Sequence, residues 1–99
     1  MKIKSSLNGG ELKIELSGEL NALTSPELSA FLTPRLENIS SLVIDFRECD
    51  FVSSAGIRVL LSSFKILKKR QCTMRLDNVG ENFKKVLEAT GLDVVFGIM

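Results

Sequence analysis

The run Leu42-Val43-Ile44-Asp45-Phe46 constrains the fold of this chain more than any other stretch. It is apolar without alternation and only of strand length, the pattern of a strand covered on both faces. What precedes it differs in kind. Lys2 to Leu7 alternates loosely, Asn8-Gly9-Gly10 is a turn signal, and Glu11 to Ser17 alternates cleanly, with Leu12, Ile14 and Leu16 set against Lys13 and Glu15. Together they read as a β-hairpin with one solvated face. Gly18 to Leu23 then leaves the second strand as a loop.

Thr24-Ser25-Pro26-Glu27 starts a helix. Thr24 and Glu27 have capping-box spacing, while Ser25 and Pro26 offer an N-cap followed by proline at the first helical position. Leu28, Phe31, Leu32 and Leu36 supply its buried stripe, and Pro34 predicts a bend or restart. A strand, a helix and then a second strand imply a right-handed parallel crossover.

A longer helix follows from about Ser54 to Arg70, with Ile57, Leu60, Leu61 and Phe64 on one face. Ile66 and Leu67 are also assigned to the core, as are Phe83 and Val86 further on. Lys68-Lys69-Arg70 complements the dipole at the end of that helix and does not by itself make a nucleic-acid patch. Gln71 to Leu76 alternates as a further parallel strand. Asp77 to Gly80 turns into a helix carrying Phe83, Val86 and Leu87, and Gly91 is placed to end it. Val94-Val95-Phe96 fits a short last strand or a packed tail. The whole is predicted to be α/β, one domain over residues 1–99. It is a small sandwich whose mixed, mostly parallel sheet has an N-terminal hairpin and helices mainly on one face.

Composition removes several functions. Thirteen basic residues against twelve acidic ones leave a net charge of +1, so there is no electrostatic case for nucleic acid or an anionic membrane. No apolar run approaches bilayer length, and the N-terminus lacks a signal-peptide core, so the chain reads as cytosolic without membrane insertion. The absence of histidine removes Ser-His and Cys-His nucleophile pairs and the common zinc arrangements. Cys49 and Cys72 match no ligand spacing and read as reduced, partly buried thiols. Asp45, Glu48 and Asp50 offer a metal-dependent alternative at the strand end, but no recognisable ligand spacing supports it. No catalytic residue, cofactor or metal is predicted.

The remaining candidate is the helix entry Asp50-Phe51-Val52-Ser53-Ser54-Ala55-Gly56-Ile57-Arg58. Two hydroxyls sit where backbone N–H groups are unpaired and the dipole favours negative charge. Serines in this position ordinarily act as caps. Neither has an acidic residue three places on, since those positions hold Gly56 and Ile57. With Ala55 and Gly56 next, the opening turn has little side-chain cover, so another molecule is expected to approach its backbone closely.

Val-Ile-Asp-Phe at a strand end, followed by Phe-Val-Ser-Ser-Ala-Gly-Ile-Arg-Val-Leu-Leu, resembles the signature of STAS domains, the anti-sigma factor antagonists. Leu16 to Ala22 is similar to that family's Gly-x-Leu-Asp loop, and Gly91-Leu92 matches its closing helix. The resemblance covers essentially the full chain. It implies a non-enzymatic switch that binds an anti-sigma factor, itself a serine kinase, and so releases a sigma factor for transcription. Phosphorylation of one serine breaks the complex, and a metal-dependent serine phosphatase resets it.

Aligning Gly56 with the family's glycine places the phosphoacceptor at Ser54. The partner surface would comprise the Gly18 to Leu23 loop with Asn21, then Ser53, Ser54, Ala55 and Gly56, and the exposed side of the following helix with Arg58, on a monomer or weak dimer. Ser53 and Asn21 stand where many members have Asp, and Ala55 where they have Ser or Thr. The alternative within the resemblance is an unregulated accessory subunit of a lipid-transporting ABC complex.

Overall fold

The computed structural model describes residues 1–98. The expected hairpin forms from β1 (Lys2–Asn8) and β2 (Glu11–Ser17), antiparallel and in register from Lys2↔Ser17 to Asn8↔Glu11. Gly9 and Gly10 make its turn with φ of +57° and +92°. A two-residue turn of this hand needs positive φ at both positions, which glycine adopts without steric cost.

After the loop comes α1 (Ser25–Leu32), and Pro34 separates it from a single 3₁₀ turn, Leu36–Asn38. The chain then runs through β3 (Ser41–Glu48), α2 (Ser54–Lys69), β4 (Thr73–Asp77), α3 (Glu81–Thr90) and a one-turn α4 (Leu92–Val95). The sheet order is β1-β2-β3-β4, with β2–β3 and β3–β4 parallel. Gly91, at φ +74°, ends α3 as expected, its N–H donating to Leu87 O and Glu88 O.

Alternation assigns the faces. Leu12, Ile14 and Leu16 of β2, Leu42, Ile44 and Phe46 of β3, and Leu76 of β4 join one core with Leu28, Leu32, Leu60, Leu67, Phe83 and Leu87 of the helices. The other face carries Lys13, Glu15, Val43, Asp45, Arg75 and Asp77. Helices therefore cover one face only. Leu42 to Phe46 is nevertheless buried throughout. On the open face Val43 is flanked in register by Lys13 and Arg75, whose aliphatic stems are long enough to cover it.

Three expectations change. Of the two readings of Val94-Val95-Phe96, the strand is ruled out and the packed tail holds at Phe96: Val94 and Val95 belong to α4, and of the three only Phe96 packs inward, edge-on to Phe64. Ile66 and Val86 are not core but 39% and 41% exposed. Each helix is covered on one side, and these positions lie off the buried stripes that run through Leu60, Ser63 and Leu67 and through Phe83 and Leu87. The basic run also does more than complement a dipole, since Arg70 donates to Leu36 O and Ile39 O, tying the end of α2 to the 3₁₀ turn.

Candidate functional site

Beyond the ends of β2 and β3 the two segments stay hydrogen-bonded to each other. Gly18 N–H donates to Glu48 O (3.0 Å), Leu20 N–H to Phe51 O (2.9 Å) and Ser53 N–H to Leu20 O (2.8 Å), and Leu20 and Val52 form an isolated parallel bridge. The ladder thus runs on across two loops. The loop entering α1 and the loop entering α2 are held side by side at one end of the sheet.

Asn21 turns the first loop into a helix. Its Oδ1 accepts from Leu23 N–H (2.9 Å) and Thr24 N–H (3.0 Å), and its carbonyl accepts from Ser25 N–H (2.8 Å). This is N-cap chemistry one turn ahead of α1. It displaces both caps expected from the sequence. Thr24 already has helical dihedrals (φ −92°, ψ −21°) and caps no N–H of α1; its hydroxyl accepts from Asn21 N–H (2.8 Å) and donates to Glu19 O (2.7 Å). The Ser25 hydroxyl donates to Asn21 O. The reason is order along the chain, because Asn21 reaches the first orphaned N–H groups before Thr24 or Ser25 can.

Ser53 (φ −85°, ψ 173°) is the N-cap of α2, its Oγ accepting from Gly56 N–H at a long 3.4 Å. Ser54 is the first residue of α2 and is exposed, and among the described residues its hydroxyl has no hydrogen-bond partner. No acidic side chain occupies the first turn. Unpaired N–H groups and the dipole therefore favour an anion at this hydroxyl. Arg58 is exposed one turn further on. With Ala55 it lines a shallow groove of about 330 Å³ between α1 and α2, where Ala22, Ser25 and Ser29 supply small side chains from the other wall.

Gly56 is not at this surface. It is buried, and a Cβ there would lie 2.7 Å from Leu20 Cγ and 3.0 Å from Val52 Cγ1. The close approach that the small residues permit is made by the chain's own Leu20. Leu20 belongs to the loop expected at the contact surface, but its buried role beneath Gly56 was missed, since an isolated leucine in a polar loop carries no periodic signal. The capping role of Asn21 was missed too, although an asparagine one turn before a helix start is itself a cap signal.

The acidic candidates at the strand end do not converge. Asp45 is buried on the open face, its Oδ1 accepting from Arg47 N–H (2.9 Å) and Asn78 Nδ2 (3.0 Å). Burial alone pushes its carboxyl up, but the hydrogen bonds from Asn78 and Arg47, aided by the Arg47 and Lys13 charges, hold it below the usual carboxylate range. Glu48 and Asp50 are exposed, and among the described residues no group of three His, Cys, Asp or Glu is placed to hold a metal. Cys49 and Cys72 are free thiols.

A family model described as "Mlab, STAS domain" matches residues 3–98. The chain belongs to the STAS domain family. Among curated relatives, the anti-sigma-B factor antagonist of Bacillus subtilis (strain 168) is 26% identical over 91 residues, which are 92% of this chain and 84% of that one. The solved structure of the anti-sigma factor antagonist SpoIIAA in its unphosphorylated form matches this STAS domain with a TM-score of 0.82 at 18% identity, over 99% of each chain. The phosphorylated form of SpoIIAA, a Bacillus cell fate determinant, gives 0.78 at 19% identity, over 92% of this chain and 85% of that one.

A sulfate transporter family protein from Wolinella succinogenes has the same fold, with a TM-score of 0.76 at 17% identity over 92% of this chain and 75% of that one. The STAS fold thus serves regulators and transporters alike, so the partner must be argued from the site. No helix among the described residues of this STAS domain is long and apolar enough to cross a membrane.

Proposed function

We propose that this STAS domain is a non-enzymatic binding switch of the anti-sigma factor antagonist type. In this reading it works in the cytoplasm, binds an anti-sigma factor that is also a serine kinase, and is released by phosphorylation of Ser54 and reset by a serine phosphatase. The single observation that carries the reading is the state of Ser54: exposed, first in α2, with a free hydroxyl and no acid in the first turn. The anti-sigma-B factor antagonist relative and the two forms of SpoIIAA support it.

The contact surface comprises Asn21 and its turn, Ser53, Ser54, Ala55 and Arg58, with Gly56 acting from beneath as the residue that lets α2 close on Leu20. A phosphate brings a charge of about −1.5 to −2 and three acceptor oxygens at neutral pH. The mouth of α2 stabilises that anion within the free protein, so the fold is undisturbed. In a packed interface the same charge must shed water. A differential cost of roughly 3 kcal/mol weakens association about a hundredfold.

The test is incubation with the candidate kinase and ATP, followed by mapping of the product and titration of Ser54→Asp against the kinase. Phosphate on Ser54 and a binding loss of about a hundredfold are expected. Phosphate elsewhere, or unchanged binding by Ser54→Asp, overturns the reading. The same fold in a sulfate transporter family protein shows that it is not confined to regulators, and the alternative reading is an accessory subunit of a lipid-transporting ABC complex using the same surface without phosphorylation. Capture of a transporter ATPase in place of a kinase would select it.

A further inference from the structure

A second surface lies on the other side of the Asp50–Val52 loop. Here a cleft of about 570 Å³ opens between the loops following β2 and β3 and the start of α3, and Ser54 is not among its lining residues. Its apolar surface comes from Phe51 and Val86, 49% and 41% exposed, backed by buried Phe83. An aromatic ring half open to water beside a second exposed apolar side chain marks a contact surface more often than a scattered surface leucine does.

The charged residues that line this cleft are all acidic: Glu19, Glu48 and Asp50. All three are exposed, and none has a salt-bridge partner among the described residues, where the only ion pair is Arg75–Asp77 on the open face of the sheet. Three carboxylates with no ion-pair partner among the described residues give this cleft a local negative field on a protein of net charge +1. The field reaches the Cys49 thiol: burial pushes its pKa up, backbone hydrogen bonds oppose this, and Asp50 and Glu19 add to the upward push.

We infer that this cleft docks a segment of a partner protein in which an apolar side chain is flanked by Lys or Arg. The apolar side chain packs on Phe51 and Val86, and the flanking cations meet Glu19, Glu48 and Asp50. Charge complementarity of this kind selects partners and speeds encounter more than it adds affinity. The cleft is built by unmodified side chains, so it is available whether or not Ser54 carries a phosphate. A partner holding the protein here can address Ser54 in both of its states.

Two synthetic peptides test this on the intact protein, an acetylated and amidated Lys-Arg-Leu-Phe-Arg-Lys and its charge-inverted counterpart Glu-Asp-Leu-Phe-Asp-Glu, each titrated while backbone amide resonances are followed. The basic peptide is expected to shift Gly18, Phe51 and Val86, and the acidic one to leave them unmoved. Phe51→Ser should abolish the shifts. Glu48→Lys with Asp50→Lys should weaken the basic peptide about tenfold or more, by placing like charges face to face. Unchanged resonances outside the cleft certify that each variant is folded. Equal shifts from both peptides, shifts from neither, or shifts centred on the open sheet face overturn the inference. So do concentration-dependent shifts of the same amides without peptide, which would assign the cleft to a second copy of this chain. None of these readouts involves Ser54 phosphorylation, so either proposal can fail without the other.

Discussion

The Leu20 side chain occupies the space that a side chain on Gly56 would need. A Cβ at Gly56 would meet Leu20 Cγ at 2.7 Å and Cδ2 at 2.9 Å. Leu20 is fully buried, so it can move only by displacing its neighbours in the core. The contact fixes how close α2 comes to the first loop, and so where Ser54 stands relative to Asn21.

Gly56→Ala sets two effects against each other. In the opening turn of α2 alanine gains less than the roughly 1 kcal/mol it has over glycine in a helix interior, whereas overpacking a full core costs about 1–3 kcal/mol. The approach distances put this site towards the upper end of the second range. A net loss of about 1–2 kcal/mol in urea denaturation is expected, and an unchanged or raised midpoint would show that Leu20 yields.

The two caps differ in strength. Asn21 holds two N–H groups at 2.9 and 3.0 Å, whereas Ser53 holds one at 3.4 Å. Asn21→Ala should cost ~1 kcal/mol, as loss of a good cap does, and Ser53→Ala less than half of that. Asn21→Asp keeps an acceptor oxygen at the same place and should stay within about 0.5 kcal/mol of the parent. Thermal or urea unfolding of the three variants gives the order directly.

Asp45 supplies an acid-sensitive term. Its folded pKa is depressed, so the stability it contributes is fully present above the unfolded value of about 3.9 and disappears as pH falls through the lower folded value. Asn78 sits at φ +54°, which glycine tolerates, so Asn78→Gly removes the hydrogen bond without straining the turn. The Asp45 carboxyl should then titrate at higher pH, with the acid unfolding limb following it upward. Carboxyl-carbon chemical shifts against pH measure this, and an unmoved titration would show that the Asn78 bond contributes nothing.

The cysteines should separate by reactivity. Cys49 is buried and its thiol pKa is raised, chiefly by that burial, while Cys72 is partly open. Thiolate is the reacting form. A disulfide reagent at neutral pH should therefore modify Cys72 in the native protein and reach Cys49 only on unfolding. Two thiols reacting together would contradict the burial of Cys49.

Local pattern was enough for the elements. The alternation of Glu11 to Ser17, the unbroken run Leu42–Phe46 and the glycines at 9, 10 and 91 each state a backbone geometry that neighbouring residues alone determine. They also place Ser54 at a helix entrance, because capping preference and apolar spacing are properties of a few consecutive residues. Three-dimensional packing decided everything that depends on what lies opposite. Gly56 reads locally as an open approach to the backbone, yet Leu20, 36 positions earlier, fills it. Val86 and Ile66 read as core, yet a helix resting on one sheet face buries only its inward stripe. Asn21 and Ser53 come together because the β2–β3 ladder continues into two loops, and no periodicity records a hydrogen bond between segments thirty residues apart.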